Sequence, residues 1–200
     1  QREARERDVL ARFGKHAGKP RPRKSVLVAT QIVEQSLDLD FDLISSDLAP
    51  IDLVLQRAGR MFRHPDTPRH GIKEPVLWVR TPRVKMDGRC DFAESGAVYS
   101  EYLLLRTYAV LRNRNRIDVP EDVEELVESV YGDGSSCGET PEFFDQLEAA
   151  KERYLDKLER LRYLARDRLI KRPEFDGELG EMGGGELEDG DAGVHRAFRA

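Results

Sequence analysis

Val28-Ala29-Thr30-Gln31-Ile32-Val33-Glu34-Gln35-Ser36-Leu37-Asp38-Leu39-Asp40-Phe41-Asp42, and then Gln56-Arg57-Ala58-Gly59-Arg60-Met61-Phe62-Arg63-His64, are the two stretches on which the fold turns. The first completes an apolar run, Ser25-Val26-Leu27-Val28-Ala29-Thr30, with the pattern of a strand buried on both faces of a parallel sheet. A second strand is predicted at Phe41–Ser46 and a third at Pro75–Val79, with a helix over Ile51–Phe62 between them and Pro50 near its start. That order predicts an α/β sheet, whose ligands gather at the carboxyl ends of the strands. Polar groups crowd that end of the first strand: Thr30, Gln31, Glu34, Gln35, Ser36 and Asp38 offer hydroxyls, amides and carboxylates to ribose, a phosphate backbone or a water network. On the expected helix, Gln56, Arg60 and Arg63 fall at i, i+4 and i+7 and point the same way. Two guanidinium forks on one face suit an anion, above all a transferring phosphoryl group, and Gly59 permits close backbone approach. For an isolated Arg-x-x-Arg, pairing with surface carboxylates is the plainer reading. The alternation Asp38-Leu39-Asp40-Phe41-Asp42 is read as a strand with an exposed acidic face rather than a metal cluster.

Outward from this centre, residues 1–13 are expected to form a helix carrying Val9, Leu10 and Phe13, stopped by Gly14. After about residue 92 the apolar period becomes helical. Ser95 or a neighbour caps a helix with Val98, Tyr102, Leu105, Tyr108 and Leu111, and Asp118 with Pro120 opens one with Val123, Leu126, Val127 and Val130 that ends at Gly132. Thr140-Pro141 opens the longest, with Phe144, Leu147, Tyr154, Leu158, Leu161 and Leu164, closed before Pro173; all these stripes read as core. Residues 173–200 hold seven glycines and eight acids, too little apolar surface to offset ordering, and are expected to be a disordered acidic linker. The resulting division is 1–90 for the sheet domain, 91–172 for a helical extension and 173–200 for the tail.

The 200 residues carry 33 Lys+Arg and 38 Asp+Glu, a net charge of −5 that hides segregation along the chain. Residues 1–24 and 56–89 are each net +6, while residues 25–55 are net −6 with no basic residue. Two basic blocks around an acidic strand region are compatible with binding a nucleotide or a nucleic acid, or with ordinary solvated loops. No apolar run is long enough for a membrane span, and the charged N-terminus has no secretory pattern. Cys90 and Cys137 cannot by themselves make a disulfide framework or a zinc site, so a reducing cytoplasm is the expected setting. The chain starts without Met inside a helical pattern and reads as part of something larger.

In order and separation, the two stretches resemble motifs V and VI of the superfamily 2 helicases, in the second RecA-like domain. The wording of residues 28–42, Asp47-Leu48-Ala49-Pro50-Ile51-Asp52, Gln56-Arg57-Ala58-Gly59-Arg60 and the upstream Arg12-Phe13-Gly14-Lys15 is similar to the CRISPR-associated helicase–nuclease of type I interference systems. The close resemblance spans about residues 1–80, and residues 95–131 look like its helical continuation. It implies an incomplete second RecA-like domain followed by a helical extension. It further implies that Arg60 and Arg63 reach the ATP γ-phosphate across an interdomain cleft, that Gln56 faces the nucleotide, that Asp38 lies near the ribose, and that Thr30 and Gln31 lie close to the single-stranded DNA backbone. Met61-Phe62 stands where the family has Leu-His, leaving the arginine spacing intact.

The resemblance also implies ATP and Mg²⁺, held mainly by an N-terminal half, and DNA unwinding after recruitment by a guide-RNA surveillance complex in antiviral defence. Gly14-Lys15-His16-Ala17-Gly18-Lys19-Pro20 is one residue short of a phosphate-binding loop and has Pro where Ser or Thr must ligate Mg²⁺. The sequence has no Asp-Glu box after it and no His-Asp pair for a nuclease centre; His16, His64, His70 and His195 are scattered and expected at the surface. Alone, the chain is therefore expected not to hydrolyse ATP. Three functions stand: part of an ATP-dependent helicase of this family, a truncated remnant that binds nucleic acid or protein without any nucleotide effect, or a different superfamily 2 DNA helicase, against which the wording of residues 28–42 argues.

Overall fold

A computed structural model describes residues 2–15, 24–30, 38–69, 71–132 and 143–168. The expected acidic tail, Gln31, Cys137, the Thr140-Pro141 helix start, His16, His70 and His195 lie outside the described residues.

Helix α1 (Arg2–Phe13) ends at Gly14, whose N–H donates to Leu10 O at 2.8 Å; a Cβ there would stand 2.5 Å from that oxygen. Gly14 then bridges Leu39, Asp40 N donates to Phe13 O at 2.9 Å, and the rings of Phe13 and Phe41 lie 5.3 Å apart. The helix end is thereby fastened to the acidic stretch. Strand β1 (Leu43–Asp47) follows, then α2 (Ile51–Ala58) with Pro50 at its N-cap, then β2 (Val76–Arg80). β1 and β2 pair in parallel, from Leu43 opposite Val76 to Asp47 opposite Arg80, so the expected parallel α/β arrangement is present.

The expected strand at residues 25–30 is not: it takes no regular conformation, and Val26 and Val28 are 88% and 91% exposed. A strand buried on both faces needs partners on either side, and among the described residues the parallel sheet has two strands, neither of them paired with this run. Helix α2 also stops four residues before the expected Phe62.

Strands β3 (Arg83–Val84) and β4 (Cys90–Asp91) make a hairpin the pattern did not signal. The helix expected from Ser95 is two pieces, α3 (Ser95–Val98) and α4 (Glu101–Leu111), because Tyr99 is extended; Val98 is consequently exposed rather than core. Helix α5 (Val123–Tyr131) ends at Gly132 as expected and packs Leu126 and Val130 on Ile51 and Leu55 of α2. The motif-bearing helix and the helical extension thus share one core. Phe143, at the N-cap of α6 (Phe144–Asp167), and Ala150 within it join Cys90 and Leu105 in a second core. The expected stripe is corrected here: Phe144, Leu161 and Leu164 are exposed. At 1.5 Å per residue, α6 runs about 36 Å against about 17 Å for α4, so its far half outruns its partner. No described helix is long and apolar enough to cross a membrane.

Candidate functional site

The acidic stretch and the arginine stretch meet in one junction. Phe41 N donates to Arg60 O at 2.9 Å and Phe62 N donates to Phe41 O at 3.0 Å, a parallel bridge between Phe41 and Met61. Forming that bridge takes the chain out of the helix: Gly59 caps α2, and Phe62 adopts a positive φ of 51°. The single helical face expected for Gln56, Arg60 and Arg63 is therefore overturned, because tertiary pairing with Phe41 outcompetes continuation of α2. Gln56 is exposed on α2, Arg60 is buried, and Arg63 is exposed beyond the bridge.

Asp38 and Arg63 are brought together, with Arg63 Nε 2.8 Å from Asp38 Oδ1 and both side chains 47% exposed. His64 Nε2 approaches the same oxygen at 3.4 Å, and its side chain is only 12% exposed, so His64 is not the surface residue that was expected. Thr30 stands exposed at the end of its run.

The expected acidic face of residues 38–42 is overturned as well. Asp40 is 2% exposed and accepts the backbone N–H of Arg63 at 3.0 Å. Arg69 closes the arrangement: Nη2 donates to both Asp40 oxygens at 2.8 and 2.9 Å, and Nη1 donates to Asp42 Oδ1 at 2.6 Å. Weaker contacts of 3.4 Å reach the carbonyls of Phe41 and His64, and the guanidinium lies 3.9 Å from the Phe62 ring centroid. Burial disfavours the Arg69 charge, but hydrogen bonds and charges from Asp40 and Asp42 outweigh it and raise its pKa above the ordinary arginine value.

Arg57 anchors α2 from the other side, donating to Ser46 Oγ, to Asp47 O at 3.0 Å and to Tyr99 OH at 3.3 Å. Asp40, Asp42, Arg57 and Arg69 were thus missed. The one available signal was three alternating carboxylates with no basic residue near them in sequence. Arg69 lies among prolines in a loop without periodicity, where spacing says nothing about partners.

Chemically, the exposed Arg63 guanidinium is an anion-binding group held by one half-exposed carboxylate. Such a pair is worth about 0–1 kcal/mol, so a polyanion that brings more charge can displace Asp38. The residues present fit the phosphates of ATP in this respect. Among the described residues no group of three or more His, Cys, Asp or Glu could hold a metal ion.

A family model described as "CRISPR-associated nuclease/helicase Cas3, C-terminal" matches residues 1–66, the part that builds this junction. The CRISPR-associated endonuclease/helicase Cas3 of Thermus thermophilus is 46% identical over 138 residues, covering 69% of this chain and 14% of that protein. The crystal structure of T. fusca Cas3 with AMPPNP superposes with a TM-score of 0.71 at 42% identity, over 85% of this chain and 19% of that one. A chain in a CRISPR RNA-guided surveillance complex, pre-nicking, matches with a TM-score of 0.65 at 39% identity, over 86% of this chain and 20% of that one. The chain thus spans less than a fifth of the curated relative and of the AMPPNP-bound structure, and its sheet and helices correspond to the C-terminal RecA-like part of these proteins. Motif wording, the junction it folds into and these matches agree that the chain belongs to the Cas3 family of CRISPR-associated nuclease/helicases.

Proposed function

We infer that this chain supplies motifs V and VI to an ATP-dependent DNA translocase of type I CRISPR interference, with residues 1–90 as the working part of a RecA-like domain and 91–172 as its helical brace. The observation that carries this reading is the Asp38–Arg63 pair, which sets the motif V carboxylate against an exposed motif VI guanidinium. Arg63 is the first contact for the γ-phosphate. ATP entering from an N-terminal half takes Arg63 from Asp38, and Asp38, released, turns to the ribose. Arg60 follows once its cover shifts on domain closure, and Gln56 faces the same cleft. Thr30 and Gln31 contact the single-stranded DNA backbone, and Asp38 links nucleotide state to the strand. The likeness to a chain of a surveillance complex supports recruitment by such an assembly.

The test joins this chain to an N-terminal half carrying a phosphate-binding loop and measures ATP hydrolysis with and without single-stranded DNA. DNA-stimulated hydrolysis is expected, and Arg63→Ala should lower kcat by roughly 10²–10³-fold or more, as removal of a charge-stabilising contact does. Hydrolysis that survives both Arg63→Ala and Arg60→Ala rejects the assigned roles. Salt-sensitive DNA binding that ATP leaves unchanged would instead support the remnant module.

A further inference from the structure

Arg60 and Arg63 stand on a segment that has left its helix, so the direction in which their side chains depart must be fixed by something other than α2. The peptide N–H of Arg63 donates to a buried carboxylate, Asp40, at 3.0 Å. The residue before it, Phe62, carries a positive φ of 51° beneath a guanidinium 3.9 Å from its ring centroid. The residue after it, His64, gives its carbonyl to the same guanidinium at 3.4 Å. One side chain, Arg69, therefore touches both neighbours of Arg63 and, through Asp40, the peptide of Arg63 itself.

We propose that Arg69 is a positioning residue for the Arg60–Arg63 segment, a role that rests on reading those arginines as phosphate contacts. Arg69 does not meet the nucleotide. Its two terminal nitrogens are engaged by Asp40, Asp42 and two carbonyls, and its side chain is 11% exposed. Its effect is to hold the loop's backbone before ATP arrives, so that closure of the cleft meets a guanidinium already aimed. Only a planar fork can bridge two carboxylates and stack on a ring at once; the point charge of Lys keeps the sign but not the span.

The test uses the joined, ATPase-competent protein and the variants Arg69→Lys, Asp40→Asn and Arg63→Ala, alone and combined. Arg69→Lys is expected to lower kcat about 10–100-fold while the KM for ATP changes by no more than about twofold, as for a misaimed transition-state contact. In the Arg63→Ala background, Arg69→Lys should bring no further fall, a coupling that a merely stabilising residue would not show. Hydrogen exchange gives a readout without activity: residues 60–64 should exchange faster in Arg69→Lys and Asp40→Asn while α5 keeps its protection. Full kcat in Arg69→Lys with hydrolysis abolished by Arg63→Ala overturns the positioning role and leaves the phosphate-contact reading intact. Losses that multiply, or exchange that quickens uniformly, also overturn it. Hydrolysis untouched by Arg63→Ala overturns both.

Discussion

Asp40 and Arg69 place opposite charges where water is nearly absent, and that fixes the sign of several substitutions. Asp40→Ala leaves the Arg69 cation buried without its main partner and should cost about 3–5 kcal/mol in chemical denaturation. Replacing both, as Asp40→Leu with Arg69→Met, should recover much of that loss, since a buried pair is weak net stabilisation compared with apolar residues of similar volume. Because the Arg69 pKa is raised, its contribution is complete below the unfolded value and lost only as pH rises through the folded one, beyond the working range. Tyr131 behaves differently. Burial first, then its 2.6 Å hydrogen bond to Asp52, raise its phenol well above the ordinary 10.0. A raised folded pKa gives stability that is whole below about 10 and declines as pH climbs toward the folded value. Ultraviolet titration should show a late-ionising phenol that Tyr131→Phe lacks, and that variant should lose the corresponding part of the alkaline destabilisation.

At the scale of elements, the central event is the exchange of helix for bridge at Gly59. Periodicity over residues 51–62 describes a helix, and Gly59 is the one local sign of an earlier end. The competitor is Phe41, whose two backbone hydrogen bonds to Arg60 and Phe62 are invisible to any windowed reading. The parallel pair β1–β2, the start of α2 and the end of α5 were legible, since each follows from a short apolar run or a Pro or Gly at a helix end. The packing of the acidic stretch against the arginine stretch was not legible in the spacing of either. Arg69 was not legible at all, because a loop arginine's partner is decided by how the loop folds back. The same junction depends on Gly14, where an added Cβ would meet Leu10 O at 2.5 Å. Gly14→Ala should cost about 1–3 kcal/mol, as overpacking does, by lifting the end of α1 from Leu39. Urea midpoints would show it, and a midpoint unchanged from the parent chain would mean that α1 docks without the bridge.

For the molecule as a whole, the site is built on a partly uncovered scaffold. The two-stranded parallel sheet has no fully buried residue, Trp78 on β2 is 60% exposed, and Val26 and Val28 are more exposed still. By contrast the α2–α5 cluster is closed, with Ile51, Leu126 and Val130 at 0% exposure. Stability therefore resides in the helical clusters, while apolar surface meets water on the sheet side and along the far half of α6. Among the described residues the 25–30 run joins no sheet, and such a run with exposed valines is a template for pairing with another chain. A net charge of −5 opposes association only weakly, because residues 1–24 and 56–89 are basic and can meet the acidic segments of a second copy. The isolated chain should then associate on its own as concentration rises toward the order of 100 µM, within the range where exposed strand edges become aggregation-prone. Val26→Lys with Val28→Lys should hold it monomeric, since charge on an exposed apolar run blocks pairing at no cost to the buried clusters. Sedimentation velocity on the two proteins decides it. If the double variant associates as strongly as the parent, the contact does not run through residues 25–30, and the far half of α6, where Leu155, Leu161 and Leu164 are also exposed, is the next surface to charge.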